Sequence, residues 1–178
     1  MTNLISQTFK DDKKKLVTFV TGGDPDLETS LKIIKTIINN GADIIEIGMP
    51  FSDPMADGPT IQRSSQRAIK SKSNISKTFK IIKSFRKENK TTPVILMGYF
   101  NPIFQFGLNN FFSQGRIAGV DGVIIVDLPP EEGSLIEKQT QKNKEKTKLI
   151  RTYKVSFKGP RVQNVRNRLE LSNNCQHL

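Results

Sequence analysis

Residues 16–49 read LVTFVTGGDPDLETSLKIIKTIINNGADIIEIGM, and this stretch decides the fold class. Its first six residues, Leu16 to Thr21, are dense in β-branched and aromatic side chains and run into Gly22-Gly23, a strand followed by its stop. Asp24-Pro25 then reads as a helix start, with Asp as the cap and Pro at the first helical position. Leu27, Leu31, Ile34 and Ile38 follow at spacings of four, three and four, one apolar stripe of a 3.6-residue repeat. Asn39-Asn40-Gly41 ends that helix, and residues 42–49 (ADIIEIGM) form a second strand.

The same alternation continues outward. Residues 60–70 and 77–88 read as helices, the second with Phe79, Ile82 and Phe85 on one face. Residues 93–98 (PVILMG) form a third strand, 108–117 a helix and 122–126 (GVIIV) a fourth strand. A polar helix over 134–146 and the start of a fifth strand at 148–150 complete the pattern. Strand followed by helix with short links is the signature of a parallel sheet covered by helices. Gly, Asp and Pro gather after the strand ends (GGDPD, MPFSDPMADGP, DLPPEE), where parallel α/β folds carry their chemistry. Pattern alone leaves both a barrel and an open doubly wound sheet in play. No G-x-G-x-x-G or G-x-x-x-x-G-K-[ST] run is present, which argues against a dinucleotide or P-loop site.

Composition narrows the function classes. A chain of 178 residues suits one domain or part of a larger one, and 35% apolar residues with 12 glycines can bury a core. The longest apolar run, Val94 to Phe100, is too short to span a bilayer. The opening MTNLISQTFKDDKKK lacks the apolar segment of a secretory signal, so a cytoplasmic protein is expected. One cysteine rules out an internal disulfide framework, and one histidine argues against a His/Cys metal cluster, so no metal is expected. Of the net charge of +11, most sits in residues 134–178, which hold eleven basic and three acidic side chains. Only Tyr153 and Phe157 accompany them as stacking aromatics, so the basic segment reads as a solvated tail rather than a nucleic-acid site.

The second strand carries a carboxylate where a helix-covered sheet has none to spare. Alternation puts Ile44, Glu46 and Gly48 on one face and Ile45, Ile47 and Met49 on the other. A parallel sheet is buried on both faces, so Glu46 lies inside either way. Burial favours the neutral acid, and a raised pKa suits a group that gives and takes a proton near neutrality. A buried Glu paired with a base or backbone amide is the structural alternative. The loop from Pro50 to Pro59 adds Asp53 and Asp57, whose spacing by itself fits an ordinary turn-rich surface loop.

At this point a resemblance enters. Residues 45–58, IEIGMPFSDPMADG, resemble the signature of the tryptophan synthase alpha subunit family. FVTGGDPD (19–26), GPTIQRSSQRA (58–68), MGYFNP (97–102) and GVDGVIIVDLPPEE (119–132) resemble the same family in the same order, over about residues 9 to 150. The resemblance implies an α/β fold of the (β/α)8 TIM-barrel type. It also implies tryptophan biosynthesis by a lyase that cleaves indole-3-glycerol phosphate to indole and glyceraldehyde 3-phosphate. By motif, Glu46 is the catalytic acid/base and Asp57 the carboxylate that steadies the indole nitrogen. Phe19 and Tyr99 match positions that wall the indole pocket. Pro50, Asp53, Asn101 and Pro102 fall in loops that the family presents to its beta subunit in an alpha2-beta2 complex. The chain itself is expected to need no cofactor, pyridoxal phosphate belonging to that beta partner.

Past Ile150 the resemblance fades. A full barrel takes about 250 residues and eight strands, so the expectation is the first half of a barrel over 1–150 and an unrelated basic tail over 151–178. A truncated or out-of-register reading of the tail is the hypothesis, tested by sequencing the DNA around the codon for Ile150. The late tyrosine and glycine-rich phosphate loops of the family have no counterpart here, and Tyr153, Cys175 and His177 are given no role. An open half barrel is further expected to expose Glu46 to water. Two other readings are a noncatalytic half-barrel interaction module and a polyanion-binding protein led by its tail. The first predicts beta-subunit binding without indole release, the second an affinity that falls steeply with salt.

Overall fold

In the computed structural model the described residues are 4–128, Gly133 and 148–151. Five strands, β1 (Val17–Thr21), β2 (Ile44–Gly48), β3 (Val94–Gly98), β4 (Gly122–Ile125) and β5 (Lys148–Arg151), form one sheet in the order β1-β2-β3-β4-β5. All four pairings are parallel, with Phe19 opposite Glu46, Glu46 opposite Ile95 and Ile95 opposite Gly122. Sequential order has no switch point at which the strand order reverses, so the doubly wound alternative falls away and the first half of a (β/α)8 barrel remains.

Helices fill the connections: α1 (Leu4–Thr8), α2 (Leu27–Asn39), α3 (Pro59–Lys70), α4 (Ile75–Arg86), α5 (Phe100–Phe106) and α6 (Leu108–Ala118). One face of the sheet, with Ile45, Ile47, Val94, Leu96, Val123 and Ile125, packs on the apolar stripes of α2, α4 and α6. Each fully buried aliphatic side chain there contributes about 1.5–3 kcal/mol. The opposite face carries Ile44, Ile95 and Ile124, covered by Ile5 of α1. Every residue of β2 is buried, Glu46 included, as a strand sandwiched on both faces requires.

Three details depart from the sequence reading. The second helix starts at Leu27 with Asp26 as its cap, not at Asp24-Pro25. Asp26 accepts the Thr29 N–H at 2.8 Å, whereas the Asp24 carboxylate is taken by Arg67 of α3, at 2.8 and 2.6 Å. Asn101 and Pro102 are not loop residues: they stand in the first turn of α5. Proline is tolerated there because the first N–H groups of a helix have no carbonyl to meet. The helix read over 77–88 runs from Ile75 to Arg86, with the Asn74 side chain accepting the Lys77 N–H at 3.0 Å. The helix expected over 134–146 and the tail over 152–178 lie outside the described residues.

Candidate active site

The carboxyl ends of β1, β2 and β3 open into a small cleft lined by Phe19, Thr21, Gly48, Asp57, Ser65 and Tyr99, among others. Strand geometry explains the membership. Phe19, Glu46 and Ile95 share a register level, and Thr21, Gly48 and Met97 form the level above it, where the cleft opens. Gly48 is required at that level: a Cβ there would stand 2.5 Å from Cζ of Phe19, so glycine lets the ring lie across β2.

Glu46 sits one level deeper and does not line the cleft. It is 7% exposed, flanked in register by Phe19 and Ile95. The expectation that an open inner face would hydrate it is therefore overturned: the Phe19 level and the cluster seated by Ile5 leave this face largely covered.

Asp57 reaches the cleft from the loop between β2 and α3. Burial pushes its carboxyl pKa up, and a hydrogen bond from the Tyr99 hydroxyl acts in the opposite direction. Tyr99, at the end of β3, is 5% exposed. Its phenol is pushed up to about 12, first by burial and further by the charges of Asp57 and Asp127, although the Ala56 N–H it accepts at 2.8 Å pulls the other way.

Helix α3 holds the Asp57 loop in place. Ser64 and Arg67 on one face of it, and Ser71 capping its end, all grip the β1 end. The Thr21 and Ser64 hydroxyls are 2.6 Å apart, Arg67 forks onto Asp24, and Ser71 donates to the Pro25 carbonyl. At its start, Gln62 donates to the Asp57 carbonyl at 2.9 Å.

Phe19, Asp57 and Tyr99 are thus brought to one cleft, with Glu46 beneath it. Of the residues read as partner contacts, Pro50 and Asp53 lie on the β2–α3 loop, Asp53 exposed and accepting the Ser52 hydroxyl at 2.5 Å. Asn101 and Pro102 stand at the same end of the sheet, after β3. The sequence reading missed Thr21, Ile61, Ser65 and Met97 as lining residues. Strand-end position marks Thr21 and Met97, and the four-residue spacing of Ile61 and Ser65 on α3 was the remaining signal. Among the described residues no group of three or more His, Cys, Asp or Glu is placed to hold a metal ion. No described helix is long and apolar enough to cross a membrane.

A family model described as tryptophan synthase alpha chain matches residues 5–170. Among solved structures, tryptophan synthase subunit alpha from Legionella pneumophila str. Paris is 41% identical, with a TM-score of 0.79 over 83% of this chain and 58% of its own. The alpha chain from Legionella pneumophila subsp. pneumophila is 36% identical, with a TM-score of 0.79 over 97% of this chain and 64% of its own. A chain of the tryptophan synthase complex from Pyrococcus furiosus is 39% identical, with a TM-score of 0.69 over 75% and 55%. The chain spans less than two thirds of the length of each of these structures.

Proposed function

Because the chain belongs to the tryptophan synthase alpha chain family, we propose that its site performs the carbon–carbon cleavage of indole-3-glycerol phosphate to indole and glyceraldehyde 3-phosphate. One observation carries this reading: a carboxylate and two aromatic side chains meet in one cleft at the strand ends, directly above a buried glutamate.

The chemistry divides between the two carboxyls. Glu46 protonates indole C3, which turns the ring into an indolenine cation. The Glu46 carboxylate so formed takes the proton of the side-chain hydroxyl next to C3, which becomes the aldehyde as the carbon–carbon bond breaks and its electron pair returns to the ring. Asp57, ionised, meets the indole N–H as positive charge develops there. The Tyr99 hydrogen bond favours that ionised form against the effect of burial. Phe19 and Tyr99 wall the flat ring between them. No cofactor is used by this chain. Pro50, Asp53, Asn101 and Pro102 contact a beta subunit of the cytoplasmic alpha2-beta2 complex, in which pyridoxal phosphate serves the partner alone.

Indole release tests the reading, using the chain extended to the length of its relatives. Glu46→Gln removes the proton donor and is expected to abolish turnover. Asp57→Asn keeps the shape and loses the charge, so its loss is smaller, roughly 10²–10³-fold in kcat. Full activity of Glu46→Gln would overturn the mechanism.

A further inference from the structure

The ring of Tyr99 serves as a wall, but its hydroxyl reaches elsewhere. The ring packs on Phe51 at 5.2 Å between centroids, and the oxygen accepts the Ala56 N–H at 2.8 Å. The same hydroxyl stands beside the Asp57 carboxyl, with which it lines the cleft, and holds that carboxyl's pKa down against the effect of burial. Phe51, Ala56 and Asp57 all belong to the β2–α3 loop, whereas Tyr99 is rooted in the sheet. It directly follows β3 and caps α5, whose first N–H, that of Phe100, is held by Asp127 at 2.7 Å. The base of the loop is tied to β3 by the Met49 N–H on the Met97 carbonyl at 2.8 Å, but bonds within its tip curl it on itself: Met55 N–H to the Asp53 carbonyl at 2.9 Å and Asp57 N–H to the Pro54 carbonyl at 3.0 Å. Gln62 grips the Asp57 carbonyl from the α3 side.

We propose that the Tyr99 hydroxyl is a latch that fastens the tip of the β2–α3 loop to the end of β3 and aims the Asp57 carboxylate into the cleft. A phenol O–H has one proton to give and lone pairs to accept with, so one atom can hold a backbone amide and a carboxylate together. A carboxylate has room for more than one donor, and the phenol leaves lone pairs of Asp57 for an N–H in the cleft. Tyr99 is in this respect a positioning residue, acting through Asp57. The purpose of the latch rests on the proposed function, whereas its existence can be tested without turnover.

The test uses the 178-residue chain with Tyr99→Phe, which keeps the ring and removes the hydroxyl. Hydrogen exchange at the Ala56 amide is expected to quicken roughly fivefold, the effect of one lost hydrogen bond, with the β3 amides unchanged. The Asp57 carboxyl, followed by carbon NMR, is expected to titrate roughly half a pH unit or more higher, because a donor to its ionised form is gone. Asp127, whose charge also acts on this hydroxyl while its carboxylate holds the Phe100 N–H, is followed alongside as the control for a general field change. An unchanged Ala56 exchange rate and Asp57 midpoint in a folded variant overturn the latch. If Tyr99→Phe fails to fold, Asp57→Asn in a Tyr153→Phe background replaces it. The phenol, read by absorbance, should then titrate below its present value of about 12, and an unmoved phenol overturns the proposal. In the extended, active protein, Tyr99→Phe should lower kcat more than it alters KM. NMR effects without any indole release from the unsubstituted extended protein would sink the proposed function and leave the latch standing.

Discussion

At Gly48 the absence of one methyl group decides whether the cleft exists. A Cβ there would lie 2.5 and 2.8 Å from two ring carbons of Phe19, and the ring has no flexible end to swing away. Gly48→Ala is expected to cost about 1–3 kcal/mol, the usual penalty for overpacking, and to push the Phe19 wall out of position. Denaturant melts measure the first effect, and an unshifted midpoint would show that the ring has room after all. Asp57 offers a second test, through pH. Its folded-state pKa lies above the ordinary aspartate value of 3.8, chiefly through burial, so the folded chain holds that proton more tightly than the unfolded one. The contribution of Asp57 to stability is therefore lost as pH rises from about 3.8 through the raised value. Melting temperatures across that interval should fall with pH more steeply for the unsubstituted chain than for Asp57→Asn, and parallel curves would contradict the shift. Glu46 was legible in the sequence because strict alternation in a doubly covered strand leaves a carboxylate nowhere to go but inside. Its depth below the cleft was not legible, since register between strands is a property of the sheet and not of any one segment.

At the scale of elements, the packing of α4 against the start of β4 depends on Arg86. Its guanidinium donates to the carbonyls of Gly119 at 2.8 Å and Thr92 at 2.7 Å, and to the Asp121 carboxylate at 2.5 Å. Asp121 also accepts the Val94 N–H at 2.9 Å, so one ion pair joins a helix end and the approaches to two strands. Both side chains are largely buried, at 13% and 18% exposure. Burial pushes the Arg86 pKa down and the Asp121 pKa up, each opposed by the other's charge. Arg86→Ala leaves Asp121 buried without its counter-ion and is expected to cost about 3 kcal/mol. A loss below about 1 kcal/mol in chemical denaturation, the level of an exposed pair, would show that water already screens it. Elements of this kind were unevenly readable. The first four strands announced themselves through β-branched runs closed by glycine or proline, β5 only as a strand start at 148–150, and α2 through its stripe. Helix α5 was hidden because Asn101-Pro102 reads as a turn, and only the carboxylate of Asp127, 25 residues further along from Pro102, supplies an acceptor for its first N–H. The start of α2 was misread for the same reason, a long-range pair taking Asp24 away from the cap position.

For the whole molecule, the sheet and the chain length set the expected activity. The sheet ends at β1 on one side and β5 on the other, and among the described residues neither has a second neighbour. The chain matches 55–64% of the lengths of the tryptophan synthase structures reported above. Under the proposed function, the first strands would supply the parts of the site that handle the indole ring, namely Phe19, Glu46, Asp57 and Tyr99. A phosphorylated substrate also needs oriented backbone amides at its other end, and in a barrel these come from loops after the last strands. Under the same proposal, residues 1–150, read as the amino-terminal half, would hold the indole-handling groups, with the phosphate held by later loops. If remote binding energy holds the reacting carbon against Glu46, loss of that phosphate grip should lower kcat as well as raise KM. The 178-residue chain alone is thus expected to release little or no indole, even though Glu46 is already buried. Supplying a family-like second half, fused or in trans, should bring activity up, and Glu46→Gln should remove it again. Deleting residues 151–178 should change neither result if that basic tail stands apart from the barrel. Robust turnover by the 178-residue chain would mean that the phosphate is held by residues of this half, and the search for them would begin at Gly22, Gly23 and the α3 face that grips β1.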